Sequence, residues 1–126
     1  MLFDTNILIT YLNGDPEINT AINQLIQNRR ALFISSISTA EILSLPSLQP
    51  KDIDDIKKFL KNFISIPLND PIAEAAAFLR RIYPKFSLPD LMIAGTAYFH
   101  NMQIVTRDKQ MHKIREITCV HTTPKL

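Results

Sequence analysis

The chain has 126 residues, 46% of them hydrophobic and 21% charged, with a formal net charge of +2. That length supports one hydrophobic core rather than two, so a single domain over residues 1–126 is expected, and the small charge alone does not argue for nucleic acid. Cys119 is the only cysteine, which excludes an intramolecular disulfide and a cysteine-built zinc site; with no basic leader and no stretch of membrane-spanning length, a cytoplasmic protein without membrane contact is expected.

Leu2 and Phe3 predict a short first strand, followed by a helix from Thr5 to Leu12 that Asn13 and Gly14 stop. Pro16 opens a second helix with Ile18, Ala21, Ile22, Leu25 and Ile26 on one face. Ala31 to Ser35 reads as a second strand, and a helix from about Ser38 to Leu45 ends before Pro46. Ile53, Ile56, Phe59, Leu60 and Phe63 mark another helix, with Lys57, Lys58 and Lys61 outside. Ile64 to Leu68 predicts the third strand, and Asp70 with Pro71 the cap and first turn of a helix carrying Ala75, Ala76 and Leu79. Pro89 starts a last helix through Ala97; Gln103 to Thr106 and Thr118 to Val120 complete the set as strands. Strands separated by helices need crossover connections, so the expectation is an α/β fold with a mainly parallel sheet and helices on both faces. Only two glycines occur, and no repeat or interdomain linker is visible.

Asp4, Glu41, Asp90 and Asp108 each stand in an apolar-flanked frame: LFDTN, STAEIL, LPDLMIAG and IVTRD. A carboxylate among residues that must be buried needs a donor, a base or a cation as partner. If the fold gathers these four, the result is an all-oxygen pocket of strong negative charge, which suits Mg²⁺ or Mn²⁺. Ligands in parallel sheets bind beyond the carboxyl ends of the strands, where Asp4 and Asp108 are expected. Setting the four acids aside leaves a distinctly more positive remainder, compatible with a polyanion.

Each acid also has a simpler explanation. Asp4 can cap the helix from Thr5, and Asp90 can be a first-turn charge after Pro89. Ser38 and Glu41 have capping-box spacing, and Asp108 can be a turn residue. Against this stand the small polar neighbours Asn6, Ser38, Thr39 and Thr106, which can hold carboxylates or waters in place.

Asp4-Thr5-Asn6 after a short strand, Ser38-Thr39-Ala40-Glu41, Asp90 in LPDLMIAGTA and Asp108 in VTRD, in this order over nearly the whole chain, resemble the PIN domain. More narrowly, they resemble the VapC-type toxin ribonucleases of bacterial and archaeal toxin–antitoxin pairs. The resemblance implies a three-layer α/β/α sandwich and an Mg²⁺- or Mn²⁺-dependent endoribonuclease that hydrolyses RNA phosphodiesters. Its catalytic, metal-holding quartet would be Asp4, Glu41, Asp90 and Asp108, with Asn6 and Thr106 as polar helpers. It further implies a homodimer and a small cognate antitoxin protein. Asp4 and Asp90 are the first choice for direct ligands, with Glu41 and Asp108 on a second ion or its waters. The leader before Asp4 is very short for the family, and the basic residues follow no fixed family code. Within the nuclease reading Arg107, Lys109, Arg80 and Arg81 are the RNA-contact candidates.

His100, His112 and His121 lack zinc spacing, and the Cys119–His121 pair is incidental. Phe86, Tyr98 and Phe99 suit a core or dimer surface better than base stacking. Two alternatives to the nuclease remain: a catalytically inactive PIN-like interaction module, and a receiver-like Mg²⁺-binding switch. The second would need an acidic pair after the first strand and a receiving Asp after the third, and Asp4-Thr5-Asn6 and Pro67-Leu68-Asn69-Asp70 provide neither.

Overall fold

The structure is a computed structural model that describes residues 1–121; the expected domain span of 1–126 runs past that limit. Along the chain lie β1 (Leu2–Phe3), α1 (Thr5–Leu12), α2 (Pro16–Gln27), β2 (Phe33–Ser35), α3 (Ser36–Leu43), α4 (Pro50–Leu60), β3 (Ile64–Ile66), α5 (Asp70–Ile82), α6 (Leu88–His100), β4 (Gln103–Val105), a 3-10 turn at Met111–Lys113, and β5 (Thr118–Val120). The strands form one five-stranded sheet in the order β3-β2-β1-β4-β5, and every pairing is parallel. The expected parallel α/β architecture is therefore present, without an antiparallel edge.

Strand alternation sends neighbouring residues to opposite faces and so divides the core. Phe3, Ile34 and Val105 pack on one face with Ile7 and Leu8 of α1, Ile18, Ile22 and Leu25 of α2, and Ile56 and Phe59 of α4. Leu2 and Ile104 point the other way, to Ile72 of α5 and to Ile93 and Ala97 of α6. A third cluster joins Ala76 and Leu79 of α5, Leu91 and Ala94 of α6, and Met111 and Ile114 beyond β4.

Two helix caps differ from expectation. α3 begins at Ser36, because Ser35 at the end of β2 accepts the Ile37 N–H at 3.1 Å and acts as the cap. Ser38 is therefore inside the helix and fully buried, so its spacing to Glu41 is not a capping box. At α5, Asn69 is the cap, accepting from the Ile72 N–H at 3.1 Å, and Asp70 is the first helical residue. Other bounds shift by a turn or less: α3 stops at Leu43, α4 spans Pro50–Leu60 and leaves Phe63 beyond it, and α6 opens at Leu88 under the Ser87 cap and runs on to His100, whereas Asp15 caps α2 before Pro16 as the proline predicts.

Because the strand order runs outward from β1 to β3 on one side and from β4 to β5 on the other, the chain changes direction across the sheet between β1 and β4. A crevice opens at such a point, beyond the carboxyl ends of the two strands. Asp4 follows β1 directly, and Thr106 follows β4 directly.

The second layer depends on a close approach of α5 and α6. A Cβ at Gly95 would lie 2.9 Å from the Ala76 backbone nitrogen and 3.1 Å from the Ile72 carbonyl oxygen. Gly95→Ala gains about 1 kcal/mol of helix propensity, but the added methyl meets backbone that cannot rotate away, and overpacking of that kind costs about 1–3 kcal/mol or more. We expect a net loss on the order of 1 kcal/mol in denaturant unfolding; equal or greater stability would show that the helices separate easily.

Candidate active site

Asp4 is the fixed point of the crevice. Its Oδ1 accepts the Thr5 N–H at 2.8 Å and so caps α1, while its Oδ2 accepts from Thr106 Oγ1 at 2.7 Å and from Asn6 Nδ2 at 3.3 Å. Helix capping and a place in the site are thus both true of this residue. Only 4% of Asp4 is exposed. Burial pushes its carboxyl up to about 6; the bonds from Thr106 and Thr5 act in the opposite direction, and the negative charges of Asp90 and Asp108 add to the rise.

Thr106 links the two central strands. Besides donating to Asp4, its Oγ1 accepts from Asn6 Nδ2 at 3.1 Å and from the Asp108 N–H at 3.0 Å. Asn6 completes the ring, its Oδ1 accepting the Arg107 N–H at 3.3 Å. Asp108 is held as a turn residue, with Oδ1 accepting from the Gln110 N–H at 2.9 Å.

Glu41 reaches the crevice from α3 through Thr5, a residue with no role assigned from its spacing. Thr5 Oγ1 donates to Glu41 Oε1 at 2.7 Å and lies 2.9 Å from the buried Ser38 Oγ. Asp90 comes from the first turn of α6, its N–H donating to Ser87 Oγ at 3.3 Å. Asp4, Glu41, Asp90 and Asp108 line a single pocket of about 240 Å³ with Thr5, Asn6 and Ile9.

The carboxylates line this pocket without closing on one point: among the described residues, no three acid, histidine or cysteine side chains stand together tightly enough to enclose a metal ion. That spacing is what like charges adopt. Glu41 is exposed and Asp90 and Asp108 are partly exposed, so these three reach water while Asp4 does not, and Glu41 and Asp108 each spend one oxygen on a single hydrogen bond. The donor set is oxygen only, and one of its members resists ionisation partly because of two others. A hard divalent cation fits such a set, since it offsets both the lost hydration that raises Asp4 and the smaller contribution of its acidic neighbours.

The basic candidates separate. Arg107 Nη1 lies 3.4 Å from Asp15 Oδ2 and Nη2 3.9 Å from Glu17 Oε2, both at the start of α2. Its buried Nε has no hydrogen-bond partner among the described residues. The guanidinium thus ties the segment after β4 to α2 and turns to acids of its own chain. Lys109, Arg80 and Arg81 are exposed, and none lines the acid pocket. Thr39, grouped with the polar helpers, makes no side-chain hydrogen bond among the described residues, whereas Thr5 does.

An all-parallel α/β sheet with an acid-lined crevice at its change of direction defines the class of protein. The PIN domain profile matches residues 1–117, and the chain belongs to the PIN domain family. Its structure resembles VapC- and FitB-type toxins. Similar solved structures include VapBC2 from Rickettsia felis bound to a DNA fragment from its promoter, at TM-score 0.82 and 22% identity, covering 94% of this chain and 96% of that one. A toxin–antitoxin complex from Klebsiella pneumoniae matches at TM-score 0.80 and 29% identity over 99% and 98% of the two chains. FitAcB from Neisseria gonorrhoeae matches at TM-score 0.74 and 22% identity over 95% and 96%. No curated protein sequence shows a significant match.

The buried Asp4 carboxyl gives a prediction whose sign is fixed. Its folded-state pKa, about 6, is above the ordinary aspartate value of 3.8, so the folded protein holds the proton more tightly than the unfolded chain. The resulting stability is present below about pH 4 and is lost as pH rises through about 6, a change on the order of 2–3 kcal/mol. In chelator, the unfolding free energy of wild type minus that of Asp4→Asn should fall across this window; the amide adds only a constant offset. A difference independent of pH would mean that Asp4 ionises as a solvated carboxylate does.

Proposed function

We propose that the chain is a single-domain, divalent-cation-dependent endoribonuclease and the toxin of a type II toxin–antitoxin pair. The observation that carries this reading is the convergence of Asp4, Glu41, Asp90 and Asp108 on one pocket at the β1/β4 crevice. Membership of the PIN domain family supports it, as does the likeness to toxin–antitoxin structures. An inactive interaction module has no use for four acids lining one pocket, one of them buried.

Asp4, Glu41, Asp90 and Asp108 would hold Mg²⁺ or Mn²⁺, which supplies an activated water and stabilises negative charge on the phosphoryl and leaving oxygens. A carboxylate offers about four lone-pair positions; Thr106 and Asn6 occupy Asp4 Oδ2 and the Thr5 N–H takes one position on Oδ1, which leaves Oδ1 to face a cation. Thr106 and Asn6 act as positioning residues that keep Asp4 and the Asp108 backbone in register. The pocket lining includes no cysteine, histidine or lysine, and its one hydroxyl, that of Thr5, donates to Glu41. The chain thus offers no free nucleophile of its own here, which suits attack by water. Lys109, next to Asp108, is the exposed cation best placed in sequence for a phosphate, with Arg80 and Arg81 as more distant contributors to the field.

Purified protein should cleave single-stranded or looped RNA with Mg²⁺ or Mn²⁺ and stop when the metal is chelated. Asp90→Asn is the decisive substitution. As a first-turn charge alone, Asp90 contributes under about 1 kcal/mol, and the variant would melt like wild type with the same response to metal. As a ligand, its loss relieves repulsion, so the metal-free variant should be at least as stable as wild type. Wild type should gain about 2.7 kcal/mol at a metal concentration 100 times its dissociation constant, the variant far less, and cleavage should be lost. Retention of both the metal-induced melting shift and the cleavage rate in Asp90→Asn would overturn the site.

We also propose self-association and a small inhibitory partner protein. Ile82, Leu88, Tyr98 and Phe99 of α5 and α6 are 44–50% exposed, a large apolar area for a domain of this size. Light scattering should report a dimer, and co-expression of a small open reading frame adjoining the gene should suppress RNA cleavage in cells. A monomer at high concentration would remove the dimer, and undiminished cleavage in the presence of that product would remove its role as inhibitor.

A further inference from the structure

A second cavity, about 430 Å³, opens beside the acid pocket and shares Asp90 and Asp108 with it; Lys85, Phe86, Ser87 and Gln110 complete its lining. Its size lies within the range of small-molecule sites. Its walls offer a cation, an aromatic ring and an amide, a combination that matches the phosphate, the π-face and the polar edge of a nucleotide.

The ring is held in advance. Tyr83 Oη donates to Glu116 Oε1 at 2.7 Å and accepts the Arg115 N–H at 3.0 Å, so the tyrosine is fixed at its far end. Phe86 packs edge to face against it, with ring centroids 6.0 Å apart at 83°, and the Phe86 N–H donates to the Tyr83 carbonyl at 3.2 Å. Gln110 is held through its backbone, which donates to Asp108. Its exposed side-chain amide makes no hydrogen bond among the described residues, and Lys85, also exposed, makes no ion pair among them.

We propose that this cavity seats the nucleotide flanking the scissile phosphate, with its base against Phe86, a base edge hydrogen-bonded to the Gln110 amide, and a neighbouring phosphate paired with Lys85. The inference rests on the ribonuclease reading of the acid pocket and adds to it a site of sequence discrimination. An unstacked base is required, so the preferred substrate is a single strand or loop, where bases can be splayed onto protein rings.

The test uses the full chain and three variants: Phe86→Leu, which keeps apolar volume against Tyr83 but removes the stacking face, and Gln110→Ala and Lys85→Ala at exposed positions that leave the fold intact. Cut sites are mapped on a randomised RNA, and KM and kcat are measured on one short oligoribonucleotide and on its counterpart lacking the base beside the cut. Wild type should show a base preference at that position, and the missing base should raise its KM roughly 5- to 100-fold, the value of one base stacked on an aromatic ring. Phe86→Leu should lose most of that difference, and Gln110→Ala should flatten the preference with little change in kcat. Lys85→Ala should raise KM alike for all sequences and weaken its salt dependence. The proposal is overturned if wild type and Phe86→Leu respond equally to the missing base and Gln110→Ala keeps the wild-type preference. If wild type cleaves no RNA with any divalent cation, the ribonuclease reading fails by itself. The cavity is then judged by titrating nucleoside 5′-monophosphates in chelator: NMR shifts at Phe86 and Gln110 uphold a nucleotide site, and their absence overturns it.

Discussion

The hydrogen bond from Thr106 Oγ1 to Asp4 Oδ2, 2.7 Å long and buried, joins the ends of the two central strands. The pairing of β1 with β4 brings the two residues together, and the Asp4 N–H completes it by donating to the Val105 carbonyl at 2.9 Å. From this bond the remaining contacts extend outward: Asn6 bridges both partners, the Asp108 N–H bonds Thr106, and Thr5, ordered by the cap that Asp4 provides, receives Glu41. A carboxylate this deeply buried loses hydration that three donors only partly replace. The sheet can hold it there because its apolar residues bury on both faces and fix the strand ends independently of the acid.

The site divides into a rigid anchor and adjustable arms. Asp4 has no freedom, since both oxygens are engaged and its backbone belongs to the sheet edge. Glu41, Asp90 and Asp108 stand on three different elements, α3, α6 and the turn after β4, and reach water. One deeply buried charge beside three that reach water lets the outer carboxylates respond to changes in charge without disturbing the core. The chain outside the pocket is correspondingly basic: with those four acids set aside, fourteen Lys and Arg face eight Asp and Glu. An anion approaching the crevice therefore meets a favourable field until it is close to the acids.

Local signals in the sequence located most elements. Pro16, Pro71 and Pro89 mark helix starts because a first-turn proline has no N–H to lose, and the apolar strand residues mark the sheet because it is covered on both faces. The acids were legible for a related reason: polar residues in apolar frames are costly without a partner. The network that holds them was legible only in part, because its hydrogen bonds span separations that spacing rules do not cover. Thr5 to Glu41 crosses 36 positions and Asn6 to Thr106 crosses 100. Ser35 and Ser38 illustrate the limit. Both precede an apolar stretch and either could cap, and the outcome was decided by where β2 ends.

Arg107 shows why charge alone is a poor guide to contact with an anion. In sequence it adjoins Asp108 and carries the positive charge that a phosphate-binding residue needs. In the fold its guanidinium points at Asp15 and Glu17, and the hydrogen bond that the Ile18 N–H donates to Asp15, with the Arg107 charge second among the stabilising influences, keeps the Asp15 carboxyl below its usual range. An arginine so engaged contributes less field to an incoming strand, yet it fastens the segment after β4 to α2, and that segment carries both Thr106 and Asp108. Its backbone N–H meets Asn6 while its side chain meets α2, so the residue is held from two sides. The same arrangement explains how a buried Nε without a partner is tolerated: the cost of that atom is borne by a side chain whose other contacts position the turn. Cations that bind a substrate must instead be free before it arrives, a condition that, among the described residues, Lys85 and Lys109 meet and Arg107 does not.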